Sequence, residues 1–307
     1  MVIVRIMGGL GNQLFQLGFA FYLSKKFNYK VKLDTSFYED QSNFLYRKYL
    51  KFNKIPRREF HFSKNSHFAT CSKDELVEKI CFHDSYSVNF LNKLIIFLGN
   101  FISWSFLMKL LTRNILNEEI IKTRKTNFND GVIYSGYWQD AFFFKDFELE
   151  LKRNINNLLI SNNISLKNKN HLNNLDSYIV MHIRKGDYSE MNDYHSLEIQ
   201  YYLDAFKLVS KKYPKIKGIH ICTNDQNWCK KNIFFPGFEI KYSSIKSDMF
   251  SDFQIMYNSR FLVISNSTFS FWAGFLGNHD IVILPSLWYK NKPFEFIPKD
   301  WISLTVK

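Results

Sequence analysis

The stretch VIVRIMGGLGNQLFQLGFAFYLSKKFNYKVKLD, residues 2–34, decides the fold. A short apolar run at 2–6 precedes a glycine-rich turn, and residues 12–27 then carry apolar side chains at helical spacing. Asn12 is predicted to cap that helix, and a second apolar run follows at 31–34. A strand, a glycine loop, a helix and a strand in this order indicate the start of a doubly wound α/β fold.

The second half of the chain alternates strand and helix patterns. Strands are predicted at 178–183, 218–222, 238–242, 261–265 and 280–284, with helices at 197–212, 226–232, 247–258 and 268–276 between them. This alternation is typical of a parallel sheet with crossover helices, and such sheets bind ligands beyond the carboxyl ends of their strands. Polar residues that directly follow a strand are therefore the candidate functional residues.

The length and composition suit two domains of ordinary size. The chain has 307 residues, of which 46% are hydrophobic, so a sizeable core is available. A stretch rich in Asn and Lys at 150–175 is interpreted as a linker, which gives domains at 1–165 and 166–307. Residues 40–130 cannot be ordered by pattern. Within them, the apolar segment 94–108 is too short to span a membrane and is interpreted either as a buried helix or helix pair or as an interfacial helix.

Charge and cysteine usage narrow the classes of function. The net charge is +13, and the lysines are spread along the chain rather than gathered in one arm. A basic surface attracts nucleic acid, anionic membranes or acidic ligands, so a non-catalytic RNA- or membrane-binding module is one alternative. The four cysteines form no C-x-x-C pair, which argues against zinc and thioredoxin-type sites. No signal-peptide pattern opens the sequence, and a cytoplasmic location is expected.

The glycine loop at 8–13 is the first of four clusters that carry chemistry. Its glycines allow a backbone to approach a ligand closely, and the helix that follows presents N–H groups to an anion. It is not a P-loop, because no Gly-Lys-Ser/Thr follows. It also fits the dinucleotide fingerprint badly, since Leu14 stands at the sixth position from Gly9, although Asp34 lies where a ribose-binding acid would. An NAD-type Rossmann oxidoreductase therefore stays an alternative.

Three further clusters follow predicted strands. In His182-Ile183-Arg184 the two polar side chains share one side of the chain, and a guanidinium suits pyrophosphate oxygens, although a structural Arg–Asp pair is the alternative. Residues 265–270, Ser-Asn-Ser-Thr-Phe-Ser, form either a capping cluster or a phosphate cradle at a helix N-terminus. Residues 223–225 are Thr-Asn-Asp, and Asp252 lies on a predicted helix. Each of these acids either accepts hydrogen bonds from a guanine or ribose or is simply solvated.

One motif is missing from the sequence. The chain contains no Asp-x-Asp, the pair with which many glycosyltransferases hold a divalent metal on a nucleotide diphosphate. Without it, the charge of a diphosphate leaving group would be met by Arg, Lys and backbone N–H groups.

Taken in order, the motifs resemble those of the bacterial α-1,2-fucosyltransferases, a family similar in motif to the protein O-fucosyltransferases and the α-1,6-fucosyltransferases. The resemblance runs nearly from end to end and rests on the glycine loop, 136–139 (Gly-Tyr-Trp-Gln), 182–188 (His-Ile-Arg-Lys-Gly-Asp-Tyr), Tyr201-Tyr202, 223–225, 265–272, 288–289 and 297–301. Two positions depart from the pattern. Lys185 stands where many relatives have a second arginine, and Phe271 stands where they have a tryptophan.

The resemblance implies a GT-B-type α/β fold, with two Rossmann-like domains facing a central cleft. It implies an inverting, metal-independent glycosyltransferase that moves L-fucose from GDP-β-L-fucose to a galactose 2-OH of a glycan, in O-antigen (lipopolysaccharide) or other surface-polysaccharide synthesis. Domain 1–165 would bind mainly the acceptor, and domain 166–307 would bind GDP-fucose. No cofactor and no nucleic-acid partner are implied. A lipid-linked acceptor is compatible with peripheral contact with the inner face of the cytoplasmic membrane.

The resemblance also assigns roles to residues. Arg184 and His182 are the implied catalytic pair, with Arg184 neutralising the pyrophosphate. The implied donor-binding residues are Asn12, Gly11, Asp187, Asp225, Asp252, Ser267, Thr268 and Phe269. Among them, Asp252 would read guanine, and 267–269 would form the phosphate-binding turn.

Overall fold

The chain forms two compact units. The structure, a computed structural model, describes residues 1–40, 57–63, 67–80, 115–118, 128–162, 164, 175–185, 197–243, 249–289 and 297–306. The first unit comprises Met1–Gln139 and Phe143–Leu151, and the second comprises Asp140–Phe142 and Lys152–Lys307. The predicted domain limits, 1–165 and 166–307, place the domain boundary later in the chain than the change of unit between Leu151 and Lys152.

The first unit is built on a five-stranded parallel sheet. Its strands are β1 (Val2–Arg5), β2 (Val31–Asp34), β3 (Ala69–Thr70), β4 (Ile115–Asn117) and β5 (Ile133–Ser135). They lie in the order β3-β2-β1-β5-β4, and each pairing is parallel. Its described helices are α1 (Leu10–Phe27), α2 (Ser36–Asp40) and α3 (Lys73–Ile80). Because β1 and β5 are neighbours, the loops that follow them meet at one edge of the sheet.

Helix α1 begins earlier than its sequence pattern predicts. Gly9 is its N-cap, in extended conformation, so the prediction that Asn12 caps the helix is wrong. The carbonyl of Gly9 accepts the backbone N–H of Gln13 at 3.0 Å, which closes the first helical turn. Asn12 lies inside that turn, where its side chain is available for a contact with the loop after β5.

An aromatic cluster joins α1 to the end of β5. The ring of Phe19 stacks on Trp138, with 3.9 Å between ring centroids and 6° between planes, and it meets Tyr134 edge-on at 5.5 Å. All three side chains are fully buried. Such ring pairs each add about 0.5–1.5 kcal/mol beyond the burial of their area, so the cluster anchors the loop after β5 to the helix.

The second unit is built on a six-stranded parallel sheet. Its strands are β6 (Tyr178–Ile183), β7 (Gly218–Thr223), β8 (Glu239–Tyr242), β9 (Phe261–Val263), β10 (Ile281–Pro285) and β11 (Ile302–Leu304). A 3-10 helix (Ala141–Phe147) leads into α4 (Glu148–Ser161), which continues from the first unit into the second. The crossover helices are α5 (Ile199–Lys212), α6 (Gln226–Asn232), α7 (Met249–Tyr257) and α8 (Thr268–Leu276).

The strand order of the second sheet is β11-β10-β9-β6-β7-β8, and each pairing is parallel. The chain fills one side of the sheet outward from β6 and then the other side outward from β9. The order therefore reverses between β6 and β9, and the crevice outside their carboxyl ends is where such sheets bind ligands. The predicted α/β class, with two Rossmann-like units, is confirmed. The central cleft between them stays a prediction.

Within the described ranges, no helix has the length and apolar character needed to cross a bilayer. The segment 94–108 lies outside the described residues, so neither interpretation of it is decided.

Candidate active site

The turn that follows β9 is buried and held by its own side chains. Ser265, Asn266 and Ser267 are each no more than 3% exposed. The backbone N–H of Ser267 donates to the carbonyl of Ser265 at 2.8 Å, which closes a tight three-residue turn. The amide of Asn266 donates to the carbonyl of Trp288 at 2.9 Å, and the hydroxyl of Ser270 lies 3.2 Å from the carbonyl of Ser267. The polar residues of this turn are thus committed to fixing its shape.

His182 ties the end of β6 to the same turn. Its Nδ1 lies 2.8 Å from the hydroxyl of Ser265, and its ring contacts that of Phe269, with 5.9 Å between centroids. Burial, together with the nearby charge of Arg184, lowers the pKa of His182 to about 3. The imidazole is therefore neutral at physiological pH, and it can hold the turn in place without adding charge to the site.

The N-terminus of helix α8 follows the turn at the carboxyl edge of β9. Its N-cap, Ser267, makes no side-chain capping hydrogen bond, and its first turn contains no acidic residue. The first N–H groups of an α-helix have no partner within the helix, and together with the helix dipole they favour an anion. Thr268 and Phe269 are half-buried here. The side chain of Ser267 therefore does not cap the helix, and the phosphate cradle at residues 265–270 stays a prediction.

The two basic residues after β6 have different surroundings. Lys185 is held by Asn224: its backbone N–H donates to Asn224 Oδ1 at 3.0 Å, and Asn224 Nδ2 donates to its carbonyl at 2.7 Å. The ammonium of Lys185 donates to the carbonyl of Leu197 at 2.8 Å and lies 4.6 Å from the ring centre of Trp228. Lys185 therefore braces the loop, and Arg184, which is half-buried, follows the same strand end one residue after Ile183.

Two of the three predicted acidic donor-binding residues lie in the described part of the chain, on different elements. Asp225 is the N-cap of α6, and its Oδ1 accepts the backbone N–H of Trp228 at 2.9 Å. Asp252 lies on α7, close enough to add to the effect of burial in raising the pKa of the Cys222 thiol. Asp187 lies outside the described residues. The capping role of Asp225 was not predicted, although Asp is a preferred N-cap residue and Asp225 directly precedes the predicted helix 226–232.

The glycine loop of the first unit packs against the loop after β5. Gly8 has a φ of +81°, and a Cβ added there would lie 2.7 Å from Asn12 Nδ2 and 3.3 Å from Tyr137 Cε1. Asn12 Oδ1 accepts a hydrogen bond from Gln139 Nε2 at 3.1 Å. Gly11 is buried in α1. Both predicted donor-binding residues of this loop thus lie at the carboxyl edge of β1 and β5.

Two glutamines on α1 fix these loops, and the sequence analysis did not identify them. Gln13 Nε2 donates to the carbonyl of Gly8 at 3.2 Å and to that of Glu59 at 2.8 Å. Gln16 Oε1 accepts the backbone N–H of Met7 at 2.9 Å, and its Nε2 donates to the carbonyl of Gly136 at 2.9 Å. Both side chains are fully buried. The sequence did contain a signal for this role, because the two glutamines stand among the apolar residues of the predicted helix 12–27.

Asp34 does not suit the ribose of a dinucleotide. It is fully buried, its Oδ1 accepts the backbone N–H of Ser36 at 2.9 Å, and its Oδ2 lies 3.7 Å from Arg5 Nε. A carboxylate buried in this way is not presented to a ligand, so Asp34 does not support the NAD-type alternative.

The strand order defines a Rossmann-like unit, and Arg184 and the N-terminus of α8 follow neighbouring strands at its carboxyl edge. The chain belongs to glycosyl transferase family 11, whose family model matches residues 1–304. The resemblance to this fucosyltransferase family is thereby confirmed.

Two curated relatives from Escherichia coli span almost the whole chain. One is an alpha-1,2-colitosyltransferase, 24% identical over 99% of this chain and 98% of that protein. The other is the O-antigen biosynthesis glycosyltransferase WbnK, 28% identical over 97% of this chain and 99% of that protein. Among solved structures, the fucosyltransferase NodZ from Bradyrhizobium matches with a TM-score of 0.45 and 15% identity, covering 90% of this chain and 92% of that one.

Proposed function

We propose that this protein transfers L-fucose from GDP-β-L-fucose to the 2-OH of a galactose in a glycan, with inversion at C1 and without a divalent metal. The observation that carries the proposal is the turn 265–267, fixed at the switch point of the second sheet and leading directly into the N-terminus of α8. Arg184 follows the neighbouring strand at the same edge.

The chemistry follows from these groups. As the bond between fucose C1 and the β-phosphate oxygen breaks, negative charge grows on the diphosphate. The guanidinium of Arg184 and the N–H groups at the start of α8 would stabilise that charge, and because both are already held in position they need little reorganisation. The galactose hydroxyl attacks C1 from the opposite face of the ring, GDP leaves with the electrons of the broken bond, and the hydroxyl proton is released to solvent, which gives the inverted product.

In this proposal His182 is a positioning residue. Its neutral ring holds Ser265 and contacts Phe269, so it sets the position of the turn. The catalytic role that the resemblance implies for His182 stays a prediction. The proposed donor-binding residues remain Asn12, Gly11, Asp187, Asp225, Asp252, Ser267, Thr268 and Phe269.

Fucose is the proposed donor sugar, and O-antigen or another surface polysaccharide is the proposed context. Family membership supports a glycosyl transferase, and the name of one curated relative, the O-antigen biosynthesis glycosyltransferase WbnK, supports the O-antigen context. One relative is named for colitose, so the donor is the property that most needs a direct test. A lipid-linked acceptor at the inner face of the cytoplasmic membrane, met by peripheral contact of a chain with net charge +13, belongs to the same proposal.

The test is a donor and acceptor panel. Purified protein is incubated with GDP-fucose or GDP-colitose and a set of galactose-ended glycans, and the linkage of any product is determined by NMR. A fucosylated product in α-1,2 linkage supports the proposal. Transfer of colitose alone, or a different linkage, contradicts it.

Two cheap measurements separate the alternatives. GDP should raise the melting temperature, because a ligand that binds only the folded state stabilises it, whereas NAD should not. Stabilisation by NAD instead would favour an oxidoreductase. Absence of any GDP effect, with binding to RNA or anionic vesicles that falls steeply as salt rises, would favour a binding module.

A further inference from the structure

The hydroxyl of Tyr201 reaches the strand end that leads into the phosphate-binding turn. Tyr201 lies in the first turn of α5, and its hydroxyl oxygen is 2.7 Å from the carbonyl oxygen of Ile264 and 3.3 Å from that of Ile283. The side chain is 4% exposed. A hydroxyl donates one hydrogen, so the shorter contact, to Ile264, is the better placed to receive it.

The carbonyl of Ile264 lies just beyond the end of the β-ladder. The register between β6 and β9 ends with the pair Met181 and Val263. Ile264 is the next residue, it is fully buried, and its own N–H donates to Ile283 at 2.8 Å. A buried carbonyl without a donor costs about 1–3 kcal/mol. The Tyr201 hydroxyl therefore replaces the ladder partner at the residue where the backbone leaves the sheet for Ser265.

The neighbouring residue has the same chemistry without the contact. Tyr202 is fully buried, and its hydroxyl has no hydrogen-bond partner among the described residues. Its ring packs edge-on against that of Tyr201, with 5.0 Å between centroids. The pair thus contains one hydroxyl bonded to the strand end and one that is not.

We propose that Tyr201 is a positioning residue for donor binding, which sets the turn 265–267 and the start of α8 through its hydrogen bond to Ile264. This inference rests on the proposed function, because it takes that turn as the phosphate site. Removing the hydroxyl leaves the aromatic ring in the core but frees the carbonyl of Ile264. The turn then loses one of the contacts that hold it, and the N–H groups of α8 no longer meet the diphosphate in a single arrangement.

The experiment compares Tyr201→Phe with Tyr202→Phe. Each variant loses one buried hydroxyl from the same helix turn, so their volumes and positions are matched. For Tyr201→Phe, kcat/KM for GDP-fucose should fall about ten- to a hundred-fold, while the KM for the acceptor changes less than about two-fold. The rise in melting temperature caused by GDP should shrink as well, measured against the variant's own ligand-free value. Tyr202→Phe should behave as the wild type in each measurement.

Amide hydrogen exchange on the ligand-free protein keeps the inference separate from the proposed function. Peptides that cover residues 264–271 should exchange faster in Tyr201→Phe than in Tyr202→Phe or the wild type. Unchanged exchange in Tyr201→Phe, or an equal fall in kcat/KM for GDP-fucose in both variants, would overturn the inference. Faster exchange in Tyr201→Phe with no GDP effect on the wild type would support the structural role of Tyr201 and contradict the proposed function.

Discussion

Oε2 of Glu118 accepts the backbone N–H of Trp138 at 2.8 Å, and this bond holds a tryptophan with a φ of +52°. The same oxygen accepts the N–H of Tyr137 at 2.9 Å. A bulky residue in the left-handed region is strained by about 1–3 kcal/mol and persists only where its surroundings over-determine it. Here the carboxylate and the stack of Trp138 on Phe19 supply that constraint.

Removing the carboxylate should release this loop. Glu118→Ala leaves two backbone N–H groups without their acceptor and should lower the free energy of unfolding by about 1–3 kcal/mol, measured by urea denaturation. Glu118→Gln keeps an acceptor oxygen of the same shape but loses the charge, so its loss should be smaller. Equal losses for the two variants would mean that the hydrogen bonds to Tyr137 and Trp138 do not carry the effect.

A side chain at Gly8 should disturb Asn12. Gly8 and Gly237 have nearly the same φ, +81° and +84°, but a Cβ at Gly8 would collide with Asn12, whereas no described atom lies within 4 Å of a Cβ at Gly237. In both alanine variants the free energy of unfolding should fall by roughly 1–2 kcal/mol, because a residue with a Cβ is strained in the left-handed conformation. Gly8→Ala should lose about 1 kcal/mol more and also lose transferase activity, because Asn12 must leave Gln139. Calorimetry measures the stability of the two variants, and the transfer assay measures their activity. Equal activities of Gly8→Ala and Gly237→Ala would contradict the prediction.

Replacing Arg184 should slow the chemical step. Arg184→Ala should lower kcat by about 10²–10³, the usual loss for one donor to a developing negative charge. The kcat of Arg184→Lys should lie between those of the wild type and Arg184→Ala, since an ammonium keeps the charge and loses the planar fork. Arg153→Ala, at an exposed arginine on α4, is the control and should leave kcat unchanged. Near-normal release of GDP by Arg184→Ala would remove this residue from the proposed mechanism.

Chelation should leave the rate unchanged. If Arg184 and the helix N–H groups meet the charge of the diphosphate, EDTA should not reduce turnover, and added magnesium or manganese should not raise it. Initial rates with a fixed concentration of GDP-fucose measure this. A loss of activity with EDTA that manganese restores would contradict metal-independent transfer.

Acid should destabilise the protein through its buried histidines. Burial and Arg184 lower the pKa of His182 to about 3, and burial and Lys241 lower that of His220 to about 4. In the unfolded chain both titrate near about 6.5, so the unfolded state binds more protons below that pH. Their contribution to stability is complete above about pH 6.5 and is lost as the pH falls towards about 4 for His220 and about 3 for His182.

The variant His220→Gln tests this linkage. It should flatten the dependence of unfolding free energy on pH in that window by up to about 1.4 kcal/mol per pH unit. Urea titrations at a series of pH values give the slope. Parallel slopes for the variant and the wild type would show that His220 protonates equally in both states.

The second sheet could be predicted from the sequence because its strands are buried on both faces. β6 is buried at every position and reads as an unbroken apolar run apart from His182, and the helix patterns between the strands are long. β3 and β11 were missed, since two and three residues with partly exposed side chains carry no periodic signal. β9 ends at Val263 rather than at 265, because the backbone turns away after Ile264.

The residue types of the candidate site could also be predicted, but their supports could not. Ser265, Ser267 and Arg184 follow strands, and that position alone marks them. The partners that hold the site join residues far apart in sequence: Lys185 and Asn224 are 39 positions apart, and Tyr201 and Ile264 are 63 apart. Contacts of this kind depend on the tertiary fold, and local sequence patterns contain no information about them.

Helix α8 has no solvent-facing side beyond its first two residues. From Ser270 to Leu276 every residue is buried, and a Cβ at Gly274 would lie within 3.1 Å of the ring of Trp301. Such a helix cannot slide or tilt to suit an incoming molecule without opening the packed interior. Its N-terminus is therefore held in one position, and under the proposed function a change of donor specificity would come from the surrounding loops rather than from this helix.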